Sequence, residues 1–251
     1  MDYESVNVLY RSRITLLKIL SDRGYNTKAY EKFGPIEVSA MAAAGSTALR
    51  MDFEKTAANT AVNTTEENNA VVEANTEVQE GGAGTNAGNI GSGLPKCRVV
   101  YSLNRIKNRI NTFVQDLTDS EEHGDDAVDP TTTEVIVILL EPIAEAFHIA
   151  ALSAMARPAA QRLHISFFQA HTLVNNPLEH VLVPKHERLP PSQHAAFLKA
   201  HKIKSKKNLP IIKFHEDMIA RILGLQPGDI VKITRPSPSA GIYEAYRLCA
   251  P

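Results

Sequence analysis

Nine histidines are the first residues of this chain that could do chemistry. His180 and His186 stand six apart around a proline, and His194 and His201 stand seven apart on one helix face. Two imidazoles on one helix reach a shared ion when four apart, and no cysteine stands near either pair to complete a ligand set. Histidines that serve a surface or a partner are therefore expected, with no metal and no cofactor. Gly82-x-Gly84-x-x-Ala87 fits a loose dinucleotide fingerprint, but that loop needs a strand before it and a helix after it. Here an acidic polar tract precedes it and Pro95 soon follows, which favours a linker. No glycine is followed directly by lysine, so a Gly-x-x-x-x-Gly-Lys-Ser/Thr phosphate loop is excluded. No Gly-x-Ser-x-Gly turn gives the many Ser, His and Asp residues a triad geometry. None of the 28 acidic residues has lysine two positions later, which removes the acid-x-Lys strand of restriction-type nucleases.

The elements around these residues read as two units of different character. Val6, Leu9, Tyr10, Ile14, Leu17 and Leu20 recur every three or four residues, predicting a helix over 5–24 capped by Ser5 and stopped at Gly24. Strands are expected at Arg98–Leu103, Val135–Leu140 and Leu163–Phe168, the middle one an unbroken apolar run suited to burial on both faces. Helices are expected over 104–117 and 144–156. This order gives a three-layer α/β unit packed with the first helix. From Asp52 to Pro95 the chain is rich in Thr, Asn, Ala, Glu and Gly, with seven acidic residues against Lys55 and one aromatic, Phe53. So little apolar surface cannot offset the entropy of ordering, and a flexible insertion over 52–95 is expected. An acidic loop is expected over 118–133.

Residues 171–251 hold twelve Lys/Arg against six Asp/Glu, whereas the whole chain of 251 residues sums to a formal net charge of −1. Helices are expected near Ser192–His201, capped by Ser192, and over Glu216–Leu223, closed by Gly224. Gln226-Pro227-Gly228-Asp229 reads as a turn, Ile230–Thr234 as a half-buried strand, Ser239-Ala240-Gly241 as a second turn and Tyr243–Leu248 as a last strand. The basic stretch Lys199 to Lys207 is a candidate phosphate contact, with a merely solvated helix end held slightly ahead because lysine clusters commonly sit there without a partner. No apolar run exceeds six residues, far short of a membrane span, and no secretory signal is expected from the polar Met1–Ser5 start. Two cysteines rule out a disulfide framework, and a soluble cytosolic or nuclear chain is expected.

Glu179-His180-Val181-Leu182-Val183-Pro184-Lys185-His186 resembles the E-H-x-L-V-P-x-H segment of the fifth subunit of eukaryotic RNA polymerases and of its archaeal counterpart. Leu209-Pro210, Asp217, Ala220-Arg221 and Gly224 are similar to the next block of that family. Gly228-Asp229-Ile230-Val231-Lys232-Ile233-Thr234-Arg235-Pro236-Ser237-Pro238-Ser239-Ala240-Gly241-Ile242-Tyr243-Glu244-Ala245-Tyr246-Arg247-Leu248 resembles its G-x-V-V-K-I-x-R-P-S-x-T-A-G-x-Y-x-x-Y-R-L run. Tyr10–Arg13 and Asp22–Tyr25 are similar to the first helix of the eukaryotic form. Met218 and Ile242 depart from the pattern, as does the acidic insertion, which suggests a divergent member or a specialised paralogue.

The resemblance implies an α/β (α+β overall) chain with a jaw-like unit over 1–170 and an assembly domain of mixed α/β structure over 171–251. It implies a non-catalytic subunit of nuclear DNA-dependent RNA polymerase, docked on the largest subunit beside others, with its jaw near downstream DNA and its location in the nucleus or nucleolus. No membrane and no small-molecule substrate of its own are implied. The expected interface comprises His180, Leu182, Val183, Pro184, His186, Arg235, Pro236, Tyr243, Tyr246 and Arg247. Arg11, Arg13 and Arg23 are candidates for proximity to DNA. A free-standing nucleic-acid-binding module using the basic unit is the alternative, and a metal-independent hydrolase a third reading.

Overall fold

The computed structural model describes residues 2–56, 94–118 and 127–251. The first helix, α1, runs Tyr3–Asp22 and starts at Asp2 without a side-chain cap, so Ser5 lies inside the helix rather than at its end. Its stop is as expected: Gly24 takes φ +87° and its N–H returns to the Ser21 carbonyl. The predicted apolar face is blurred, because Ser12 is buried while Ile14 is 49% exposed. A second helix, α2 (Pro35–Ala44), lies against α1, so α1 is covered on more than one side.

Among the described residues, four strands form the first sheet in the order β1 (Met51–Glu54), β2 (Lys96–Ser102), β3 (Thr133–Leu139) and β4 (His164–Gln169). β1 is antiparallel to β2, and the remaining pairs are parallel. β1 corrects the expectation that flexibility begins at Asp52: Phe53 is buried against Tyr30, and the flanking strand pairing orders its neighbours. The rest of the expected insertion, 57–93, lies outside the described residues, as do 119–126 of the acidic loop. Two further helices are α3 (Ile110–Asp116), shorter than expected because Lys107–Arg109 forms a 3-10 turn, and α4 (Glu145–Met155).

Alternation along β3 makes the three layers. Ile136 and Ile138 point to α1 and α2, whereas Val135, Val137 and Leu139 point to α3 and α4. Every residue of β3 is buried, as a central parallel strand covered on both faces must be.

The second sheet has the order β5 (Lys185–Leu189), β7 (Ile230–Ser237), β8 (Gly241–Ala250) and β6 (Ile211–Lys213). β7 and β8 make the expected hairpin, closed at Gly241 with φ +71°. Helix α5 (His194–Ala200) covers one face through Phe197, Ile230 and Leu248, and Ser192 does not cap it. Helix α6 (Met218–Ile222) is capped by Asp217, whose carboxylate accepts the Ile219 and Ala220 N–H groups at 2.8 and 3.3 Å.

The other face, carrying Val231, Ile233 and Cys249, joins the same apolar cluster as Val135, Phe147 and Phe167 of the first unit. Phe167 is held there from both sides of its peptide. Its N–H donates to His215 Nε2 at 2.9 Å, and its carbonyl accepts from Arg221 Nη1 at 2.7 Å. Fully buried and 5.2 Å from the Phe147 ring, Phe167 would cost about 3–5 kcal/mol on truncation to alanine. A buried Arg23–Glu134 ion pair sits beside Gly224, where a side chain would collide with the guanidinium.

Candidate functional site

The β7–β8 register decides which motif residues meet. Arg235 pairs with Tyr243, Val231 with Arg247, and Ile233 with His186 of β5. Side chains alternate along a strand, so Arg235, Tyr243, Arg247 and His186 share the core face of the second sheet, beyond the part the first unit covers. There a groove of about 470 Å³ is lined by His186, Ile233, Arg235 and Arg247, and on its far side by Ile211–Lys213, Glu216 and Asp217.

Charge within the groove is unbalanced. Lys213 and Glu216 neutralise one another at 2.6 Å, and Asp217 is occupied by the α6 N–H groups. Arg247 gives one N–H to the Ile211 carbonyl at 2.8 Å. Arg235 is exposed and makes no ion pair among the described residues. Burial holds the His186 imidazole below its ordinary pKa, and the two arginines push the same way against Pro184 and Asp217. Its Nδ1 lies 2.7 Å from the Pro184 carbonyl, which can only accept, so Nδ1 carries the proton and Nε2 is an acceptor.

The remaining expected interface residues divide. His180 is exposed and its Nδ1 accepts the Leu182 N–H at 3.2 Å, which shapes a loop with Val181 at 96% and Leu182 at 84% exposure. Val183 and Pro184 are half-buried as the chain enters β5. Pro236 is exposed near the hairpin tip, opposite Ile242. Tyr246 is not brought to the groove. It stands three residues from Tyr243 and therefore on the opposite face, its ring tilted against Phe197 at 4.4 Å with its hydroxyl donating to Glu244.

The candidate DNA residues are corrected in two of three cases. Arg13 is 3% exposed, its guanidinium over the Tyr30 and Phe33 rings at 5.7 and 5.4 Å. Arg23 is 2% exposed and paired with Glu134, whose carboxylate holds its pKa above the ordinary value although burial opposes the charge. Both arginines hold the interior together and present no charge to solvent. Arg11 is exposed and donates to Asn175 at 3.2 Å.

A second groove, about 550 Å³, lies along the β1–β2 edge between Tyr30, Arg50 and Arg98. It is larger, but its charges are paired: Asp52 takes both Arg50 and Arg98, and Glu54 takes Lys96. Among the described residues no group of three His, Cys, Asp or Glu side chains could hold a metal. His194 is bonded to the Leu189 carbonyl and Lys206, and His201 stacks on Phe197. No described helix is long and apolar enough to cross a membrane. Sequence reading missed Ile211 and Lys213 of the far wall because β6 is three residues long and carries no alternation, and it took Glu216 only as the start of a helix.

A family profile described as "RNA polymerase Rpb5, C-terminal domain" matches residues 175–249, which contain every residue of the groove. The DNA-directed RNA polymerase subunit Rpo5 of Archaeoglobus fulgidus is 50% identical over 70 residues, 28% of this chain and 90% of that protein. The corresponding subunit of Methanocaldococcus jannaschii is 41% identical over 70 residues, 28% of this chain and 87% of that protein. The subunit rpabc1 of RNA polymerases I, II and III of Dictyostelium discoideum is 39% identical over 89 residues, 36% of this chain but only 44% of that longer relative. With the archaeal subunits matched over nearly their full length and the groove inside the match, the chain belongs to the Rpb5 family of DNA-directed RNA polymerase subunits.

Proposed function

We propose that the chain is a non-catalytic subunit of a nuclear DNA-dependent RNA polymerase, docked on the largest subunit through the groove of the second sheet. The single observation that carries this is the meeting of His186, Arg235 and Arg247 in one cationic groove inside the family-matched span. Arg235 and the neighbouring Tyr243 combine flat area with a polar or charged tip, the kind of side chain that anchors interfaces. The exposed Val181–Leu182 loop, continuous in sequence with His186, extends the apolar part of the same contact. Residues 171–251 are thus read as the assembly unit.

The three-layer unit over 1–170 is read as the jaw, set near downstream DNA, with Arg11 as the arginine of the first helix able to meet phosphate. Nucleotide addition belongs to the large subunits in this reading. Nuclear location follows from the eukaryotic relatives, which are named as subunits of polymerases I, II and III. The test is purification of the tagged full chain from its own cells. Large polymerase subunits should accompany the wild type and be depleted at least tenfold with Arg235→Glu combined with Arg247→Glu. Recovery of the wild type without any large subunit overturns the proposal.

A further inference from the structure

The basic segment from the last turn of α5 to β6 belongs to neither the groove nor the shared core. We propose that it is a second, independent surface, which grips the phosphodiester backbone of double-stranded DNA. Between Arg188 and Lys213 the sequence has no Asp or Glu, while Lys199, Lys202, Lys204, Lys206 and Lys207 fall within nine residues. Lys199, Lys202, Lys204 and Lys207 are exposed and form no ion pair among the described residues. Lys206 is the exception, half-buried and donating to His194 Nδ1 at 2.7 Å and to the Gly228 carbonyl at 3.4 Å.

The neighbouring carboxylates are already committed. Glu244 is held by Lys232 at 2.6 Å and by the Tyr246 hydroxyl at 3.0 Å. Asp229 accepts from Arg188 at 3.0 Å and from the Gln226 N–H at 2.8 Å. The four lysines therefore keep an unneutralised like charge.

The loop is also built, not merely solvated. His201 N–H returns to the Phe197 carbonyl, Ile203 to Leu198, Asn208 to Ser205 and Leu209 to Lys206, all near 3.0 Å. Ile203 and Leu209 anchor it in the cluster around Phe197, and Lys202 turns the chain with φ +53°. Holding four ammonium groups on an ordered helix end and loop costs self-repulsion that a polyanion would relieve.

Placement separates this surface from docking. α5 covers the face of Ile230 and Leu248, whereas the groove opens on the face of Ile233 and Arg235. Adjacent strand residues point to opposite faces, so both surfaces can be occupied at once. Lysine is a point charge with no fixed fork, suited to backbone phosphate without sequence reading. Single strands are disfavoured because His201, the one ring between Lys199 and Lys207, packs tilted against Phe197 and Tyr246 instead of standing as a flat platform for a base.

The experiment is fluorescence anisotropy of the full chain with a labelled 30-base-pair duplex of arbitrary sequence, in KCl from 50 to 200 mM. Four phosphate contacts give a log–log salt slope of about −3.6, so affinity should fall about 150-fold across that range. With Lys202→Gln, Lys204→Gln and Lys207→Gln combined, one contact is left, and the fall should shrink to about 3.5-fold. The triple variant should melt with the wild type and still recover large polymerase subunits, so failure here is distinguishable from failure of the docking reading. Absence of duplex binding at 50 mM KCl overturns the inference, as does an unchanged slope in the variant. Tighter binding of a polyglutamate peptide than of the duplex, or loss of subunit recovery in the variant, also overturns it.

Discussion

Lowering the pH should loosen the joint between the two sheets through His215. This imidazole is fully buried, and burial, aided by Arg221 and His148, drops its pKa from 6.5 to about 2. Its Nε2 accepts the Phe167 N–H, so its proton lies on Nδ1 and is donated to His148 Nδ1 at 2.8 Å. A second proton on Nε2 would face the Phe167 donor across 2.9 Å. The unfolded chain takes up that proton near pH 6.5 and the folded chain only near 2, so the stabilisation is complete above pH 6.5 and is lost as pH falls. From these two values the loss between pH 7 and pH 4 is about 3 kcal/mol, a large part of a typical stability of about 5–15 kcal/mol. His148 is lowered in the same direction, first by its own burial, and deepens the effect. Glu216 and Glu145 face it with opposing charge. Urea unfolding followed by circular dichroism at pH 7 and pH 4 reads this directly. The wild type should lose about 3 kcal/mol more than His215→Gln, in which the side chain can still accept the Phe167 N–H but cannot titrate. Strain from the positive φ of +57° at this position is the same at both pH values and cancels in the difference. Equal losses in the two proteins, or a His215 ring that titrates near pH 6 while the chain stays folded, would refute the reasoning.

Three further outcomes follow from buried groups. Arg23→Met leaves Glu134 charged without its partner and should cost about 3–5 kcal/mol in chemical denaturation, much of it restored by adding Glu134→Leu. Gly224→Ala should lower the melting temperature, since φ +61° costs an L-residue about 1–3 kcal/mol and the new carbon meets Arg23. Cys97 and Cys249 are buried, which raises both thiols, Cys249 to about 12. Neither should react with iodoacetamide at pH 8 until denaturant is added, and mass spectrometry of the native protein would show any exception.

What could be read in the sequence depended on how strongly a few residues dictate their surroundings. Val135–Leu139 is apolar at every position, and only a central strand between two helical layers buries such a run. Gly24, Gly224 and Gly241 mark chain reversals that need positive φ, and all three fall where the sequence pattern places them. β1, β5 and β6 escaped because backbone pairing, not side-chain pattern, makes them. Lys185–Leu189 holds one aliphatic residue, and Phe53 stands inside a polar tract. α2, Pro-Ile-Glu-Val-Ser-Ala-Met-Ala-Ala-Ala, is too evenly apolar to show a face.

The site was half legible. Strand parity alone separates Tyr243 from Tyr246 and joins Tyr243 to Arg247, an inference that needs only the residue numbers along one strand. Nothing in the residue types told that Arg13 and Arg23 turn inward, because the partners that make burial tolerable are distant in sequence. Arg13 finds Tyr30 and Phe33, and Arg23 finds Glu134, 111 residues away. The groove likewise needed β6 and the Glu216–Asp217 entry to α6 to close the wall opposite Arg235.

Lysine-directed cross-linking of the purified polymerase, read by mass spectrometry, tests the docking claim most directly. Lys213 lines the groove. It should cross-link to the largest subunit, while Lys202 and Lys204 on the opposite face of the sheet should not. Links from Lys202 and Lys204 to that subunit, with Lys213 free, would contradict the account.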